Sequence, residues 1–274
     1  MGVGGGRGEL FEGAMKDVQN QRDHRNVEIQ KVGVKQVRYP ITVLDKSQGF
    51  QHTVATVNMY VNLPRHFKGT HMSRFVEILN RYRGKIGLKE LRLILEEMKK
   101  KLRARSAHVE IEFPYFVEKK APVTGSRGLM EYICRFYGSS DHSDIDLCLE
   151  VNVPISTVCP CSKEISDHGA HNQRGMVRVR VRFKKLVWIE DLIRLVEDSA
   201  SCDLYSILKR PDEKYVTERA YENPMFVEDV VREVATKLQA DPNITWFSVE
   251  AENFESIHNH SAYAYVEGGL KVAP

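Results

Sequence analysis

The sequence predicts an α+β fold in which one ββααββ unit is used twice. Two observations carry this. Strand-like and helix-like runs follow one another in the same order in both halves of the chain. Apolar residues recur at every second position in the former and every third or fourth in the latter. The halves share no evident identity, so the repeat is one of pattern.

The first unit opens with strands at Lys35 to Leu44 and Phe50 to Leu63, where Val54, Val57, Tyr60 and Val61 supply β-branched and aromatic content. Asp45 to Gly49 supplies the turn. The period then changes. Thr70 is a candidate cap for a helix carrying Phe75, Val76, Ile78 and Leu79. A second helix follows Gly87, with Leu91, Ile94, Leu95, Met98 and Leu102 in one amphipathic stripe. Strands return at His108 to Val117, which alternates strictly over its first six residues, and at Leu129 to Tyr137.

The second unit repeats the order. Ile145 to Val153 reads as a strand. From Met176 to Phe183, Val177, Val179, Val181 and Phe183 alternate with Arg178, Arg180 and Arg182, giving one apolar face and one arginine row. A helix runs from about Ile189 to Ala200. Asn223-Pro224 reads as a cap and first helical residue for a stripe at Val227, Val230, Val231, Val234 and Leu238. Strands at about Thr245 to Asn253 and Ala262 to Glu267 close the chain. The expected division is a flexible glycine-rich extension over 1–30, with Met15 a candidate start, a first module over 31–140 and a second over 141–274 carrying most of the chemistry. Antiparallel strands with helices on one face leave open edges. Pairing those edges between subunits into a barrel removes them and predicts a symmetric oligomer.

The 274 residues are 42% hydrophobic and 28% charged, a composition that supports a sizeable core. The net charge of +3 is too small to call for nucleic acid. The cations Lys99, Lys100, Lys101, Arg103 and Arg105 read as a solvated helix end. No apolar run is long enough for a membrane span or reads as a signal peptide. Five cysteines at irregular spacing argue against a disulfide framework and for a reducing cytoplasm.

Function is concentrated between Val151 and Gly175, VNVPISTVCPCSKEISDHGAHNQRG. Cys159 and Cys161 flank a proline, and His168 and His171 follow beside Asp167. Thiolate and imidazole suit borderline-soft metals. Without a second cysteine pair the pattern fits an open site better than a closed four-cysteine one. Cys161 is either a co-ligand or a supporting or redox residue, and at most one of the two histidines is expected as a direct ligand. Lys209 to Lys214 reads as an exposed linker, or as a mobile loop that brings Glu213 to a metal and Lys209 or Arg210 to an anion. Glu228 is either a dipole-favoured helix carboxylate or an acceptor for a guanine-like edge. One of His258 and His260 is a candidate general acid or base.

The run VNVPISTVCPCSKEISDHGAHNQRG closely resembles the bacterial type IB GTP cyclohydrolase I family. GTHMSRFVEIL at 69–79, LKRPDEKYVTE at 208–218, YENPMFVEDVVRE at 221–233 and ESIHNHSAYA at 255–264 resemble its other signatures. The resemblance implies the tunnelling fold and a cytoplasmic homotetramer with active sites at subunit interfaces. It implies conversion of GTP and water to 7,8-dihydroneopterin triphosphate and formate, the first step toward tetrahydrofolate. It also implies a divalent metal (Zn²⁺, Mn²⁺ or Fe²⁺) on Cys159 and His171 with Glu213 as a conditional ligand, Glu228 as guanine anchor and His258 as the catalytic histidine. His71, Arg74, Lys163, Arg174, Lys209 and Arg210 are candidates for the triphosphate, some from a neighbouring subunit. Two other readings are a tunnelling-fold nitrile reductase, with Cys159 as nucleophile and NADPH as reductant, and a non-catalytic zinc-stabilised interaction protein.

Overall fold

The computed structural model describes residues 18–269 apart from 20 and 85. Eight strands pair antiparallel in chain order to form one sheet: β1 (Ile29–Asp45), β2 (Gly49–Leu63), β3 (Ser106–Lys120), β4 (Arg127–Asp141), β5 (Asp144–Val158), β6 (Asn172–Phe183), β7 (Ile244–Phe254) and β8 (Ser261–Gly269). Helices α1 (Ser73–Arg81) and α2 (Leu88–Leu102) connect β2 to β3. The short α3 (Pro160–Ile165) lies between β5 and β6. Helices α4 (Ile189–Glu197), α5 (Arg210–Glu222) and α6 (Val227–Ala240) precede β7. The two expected modules meet without a gap, because β4 and β5 pair from Asp141↔Asp144 to Ile133↔Asn152.

The period-2 pattern decides which face the helices cover. Met59, Ile111, Phe113, Val151, Val153, Val177, Val179, Val249 and Ala251 project into one core with Phe75, Leu91, Leu95, Leu192, Val196, Val230 and Val234. Burying each large side chain contributes about 1.5–3 kcal/mol over leaving it in water. The opposite face carries the arginine row, and every member is paired. Arg182 holds Asp146 at 2.5 Å, Arg178 holds Glu250 at 2.7 Å, and Arg180 and Arg135 hold the fully buried Glu150 at 2.5 and 2.6 Å. Burial alone would raise the Glu150 carboxyl, but the hydrogen bonds and charges of Arg180 and Arg135, with Asn152, hold it below its ordinary range.

Because every strand reverses the last, the sheet has two ends. One collects the β1–β2, β3–β4, β5–β6 and β7–β8 connections. The other collects the end of β2, the start of β3, the β4–β5 turn and the start of β7. β5 runs 15 residues between them, roughly 45–50 Å at strand rise.

Four local expectations change. Met72, not Thr70, is the N-cap of α1; the helix starts where Phe75, Ile78 and Leu79 can all face the sheet. Lys209 to Lys214 is not a mobile loop, for α5 begins at Arg210 with Pro211 in its first turn. Asn223 consequently closes α5, and Phe226 caps α6. Part of the extension is fixed: the Asp23 amide donates to the His66 carbonyl at 3.1 Å and the Lys68 amide to the Gln21 carbonyl at 3.0 Å. The expectation for residues 1–17 lies outside the described residues. Among those described, no helix is long and apolar enough to cross a membrane.

Candidate active site

The β5–β6 connection holds Cys159 and His171 side by side. The Cys159 amide donates to the His171 carbonyl at 3.1 Å, extending the strand ladder one step past Val158↔Asn172. Cys159 caps α3, whose first residue is Pro160, so the chain turns immediately and the thiol stays half-buried at the sheet end. Ser162 closes the turn. Its hydroxyl donates to the Cys159 carbonyl at 3.1 Å and accepts from the His171 amide at 3.2 Å. His171 Nδ1 lies 3.0 Å from Ser256 Oγ in the β7–β8 connection. That connection also carries His258 and His260, whose rings stack at 5.2 Å.

Two helix ends frame the pair. The Met225 amide donates to the Val158 carbonyl at 3.0 Å, which brings the start of α6, with its exposed Glu228, over the end of β5. The Lys163 ammonium donates to the Tyr221 carbonyl at 2.5 Å and sits 4.4 Å over the Tyr221 ring, fastening α3 to the end of α5. Behind the site the Val158 amide donates to Ser201 Oγ at 3.1 Å. The segment bearing Ser201 is fixed in turn by Lys119, which holds Glu197 at 2.8 Å and Asp203 at 3.2 Å. Burial raises the Glu197 carboxyl, and Lys119 opposes it.

The site residues expected from sequence divide into two groups. Cys159, His171, Lys163, Glu228 and the His258 loop gather at one end of the sheet. Lys209, Arg210 and Glu213 occupy the first turn of α5, whose other end meets Lys163; Glu213 is thus roughly 12 Å along the helix axis from Tyr221. Arg174 is exposed on β6, on the arginine face rather than the helical one. Arg74 lies at the opposite sheet end, where Nη1 donates to the Lys101 carbonyl at 3.3 Å, and His71 precedes it by three residues. Among the described residues no three of His, Cys, Asp and Glu gather as a metal-holding cluster. Cys159 and His171 fit as two donors, and Glu213 is not beside them in this chain.

Sequence reasoning missed the two serines and a buried polar floor. Thr157, Gln173 and Asn253 continue the helical face of β5, β6 and β7 toward the pair. Each has a buried side-chain oxygen to which no protein group donates a hydrogen bond. Gly175 is the one available signal. A Cβ there would lie 2.4 Å from Asn253 Oδ1, so only glycine lets the Asn253 side chain lie across β6.

The architecture defines a class first. Solved structures of similar shape include urate oxidase from Bacillus sp. TB-90, with TM-score 0.55 and 11% identity over 88% of this chain and all of that one. Uricase from Arthrobacter globiformis gives 0.53 and 7% over 89% of this chain and 95% of that one. At such identity the likeness is one of fold. Sequence narrows it further. The family model described as "Type I GTP cyclohydrolase folE2" matches residues 15–264. The GTP cyclohydrolase FolE2 of Syntrophobacter fumaroxidans is 66% identical over 92% of this chain and 99% of the relative, and that of Syntrophus aciditrophicus 64% over the same shares. The chain belongs to the FolE2 family of type I GTP cyclohydrolases.

Proposed function

We propose that this chain is a cytoplasmic, divalent-metal-dependent GTP cyclohydrolase that converts GTP and water to formate and 7,8-dihydroneopterin triphosphate, the first step toward tetrahydrofolate. The observation that carries the mechanism is the locked Cys159–His171 pair. A cysteine sulfur and an imidazole on neighbouring, backbone-paired positions suit Zn²⁺, Mn²⁺ or Fe²⁺, and Glu213 is a conditional third ligand that the fold of this one chain does not bring beside them. When bound, such a metal supplies the Lewis acidity that makes water nucleophilic near neutral pH.

The remaining steps belong to the side chains. Glu228 accepts N1–H and the 2-amino group of guanine, a pair of donors that adenine lacks. His258 delivers a proton to the ring nitrogen released as the bond to C8 breaks. Lys209 and Arg210 are cations on the Cys159 side of the sheet available to the triphosphate, and Lys163 joins them on exchanging the Tyr221 carbonyl for a phosphate oxygen; Arg174 offers a further one from the arginine face.

His71 and Arg74 reach the same triphosphate only from another copy of the chain, because strand direction puts them at the far sheet end. That geometry supports a tunnelling-fold homotetramer with shared sites. The test is to incubate metal-free protein with GTP, add Mn²⁺ or Zn²⁺, and follow formate together with pterin fluorescence after oxidation. Metal-dependent formation of both is expected. A folded oligomer that yields neither with any metal overturns the proposal.

A further inference from the structure

We infer that Ser256 is a positioning residue that selects the metal-binding tautomer of His171 and couples metal binding to the loop carrying His258. The inference rests on the reading of His171 as a ligand. Its basis is the 3.0 Å approach of Ser256 Oγ to His171 Nδ1 between residues 85 positions apart.

A neutral imidazole has one N–H and one lone pair. If Ser256 donated to Nδ1, the proton would sit on Nε2 and that nitrogen would be closed to a metal. If Nδ1–H donates to Ser256 Oγ, the Nε2 lone pair is free. Metal-bound histidines generally donate their second ring N–H to such a partner, which fixes both tautomer and ring angle.

The rest of the pair leaves Ser256 this task alone. Ser162 already uses its hydroxyl proton on the Cys159 carbonyl and a lone pair on the His171 amide, so it sets the backbone and not the ring. Ser256 stands in the bend between β7 and β8, two residues before His258, whose ring stacks on His260. The contact that orients His171 is therefore also a tether for the loop that presents His258. Metal on His171 Nε2 and order in the His258 loop favour each other through one hydrogen bond.

The test compares full-length wild type with Ser256→Ala and Ser256→Thr. In metal-free protein, ¹⁵N-histidine spectra report the His171 tautomer: Nδ1–H is expected in wild type and Ser256→Thr, and Nε2–H in Ser256→Ala. Zn²⁺ affinity, read by competition with a chromogenic chelator, should fall about 10- to 100-fold in Ser256→Ala and be restored by Ser256→Thr. The thermal midpoint should not move, since Ser256 is exposed. An unchanged tautomer, or unchanged Zn²⁺ affinity, in Ser256→Ala overturns the inference. If Cys159→Ala binds Zn²⁺ as tightly as wild type, the metal assignment itself fails, a separate result from the tautomer measurement.

Discussion

Asp212 is bound to Thr124 twice, through the Thr124 amide at 2.9 Å and its hydroxyl at 2.7 Å, so the first turn of α5 is stapled to the β3–β4 turn. The Val123 amide at 2.8 Å and the Lys209 amide at 2.9 Å complete the carboxylate's shell. Burial alone would raise this carboxyl, but the hydrogen bonds of Thr124, Lys209 and Val123 hold it well below the ordinary range. The stabilising contribution is therefore complete above about pH 4, the unfolded value, and is lost as pH falls toward the depressed folded value. Asp212→Asn should lower the thermal midpoint at pH 7 and narrow its gap from wild type as pH drops below 4. A gap that does not shrink in acid would contradict the staple.

Glu150 is the common partner of three arginines on the sheet face away from the helices, at 2.6 Å from Arg135, 2.5 Å from Arg180 and 3.7 Å from Arg178. Removing it leaves the cations of β4 and β6 facing one another across β5. Glu150→Ala should cost about 3–5 kcal/mol, measured by urea denaturation. A loss below about 1 kcal/mol would mean that solvent already screens the ladder.

Glu228 is exposed near the start of α6, so its removal should spare the fold. Glu228→Ala is expected to reduce kcat/KM for GTP by about 5- to 150-fold, the equivalent of roughly 1–3 kcal/mol. Circular dichroism should be unchanged. Wild-type kinetics in this variant would remove Glu228 from the guanine site.

Cys159 and Arg74 lie at opposite ends of the sheet, which makes subunit sharing testable. Cys159→Ala and Arg74→Ala should each lose activity, the first by at least the 10- to 100-fold typical of a ligand's outer partners. Co-expressed in equal amounts, they should recover about one quarter of wild-type formate release, because random mixing leaves that share of two-chain sites intact. No recovery would place the triphosphate on one chain.

Much of the fold is legible because packing dictates the pattern. The β6 alternation requires one apolar and one charged face, and the α2 stripe requires a helix over a sheet; both form as expected. Helix α5 escapes because Val216 and Ala220 are the apolar side chains among its 13 residues that pack inward, against a small cluster with Val158 and Cys202, and its other buried residue is the charged Asp212. Its sequence signals were Pro211 and Asp212 at the start. Asn223-Pro224 misleads because the same residues that open a helix also close one. Within the site, Cys159 and His171 stand out by ligand chemistry. Ser256 and Ser162 do not, since a serine's value depends on which loop the fold brings beside it.

Cys159 and His171 are proposed to hold the metal that the reaction uses. Anomalous diffraction from crystals grown with Zn²⁺ tests this most directly. The predicted result is a single strong peak per protomer about 2.3 Å from Cys159 Sγ and about 2.0–2.1 Å from His171 Nε2, with Nδ1 still on Ser256. A peak held by other residues, with Cys159 Sγ beyond bonding distance, would contradict it.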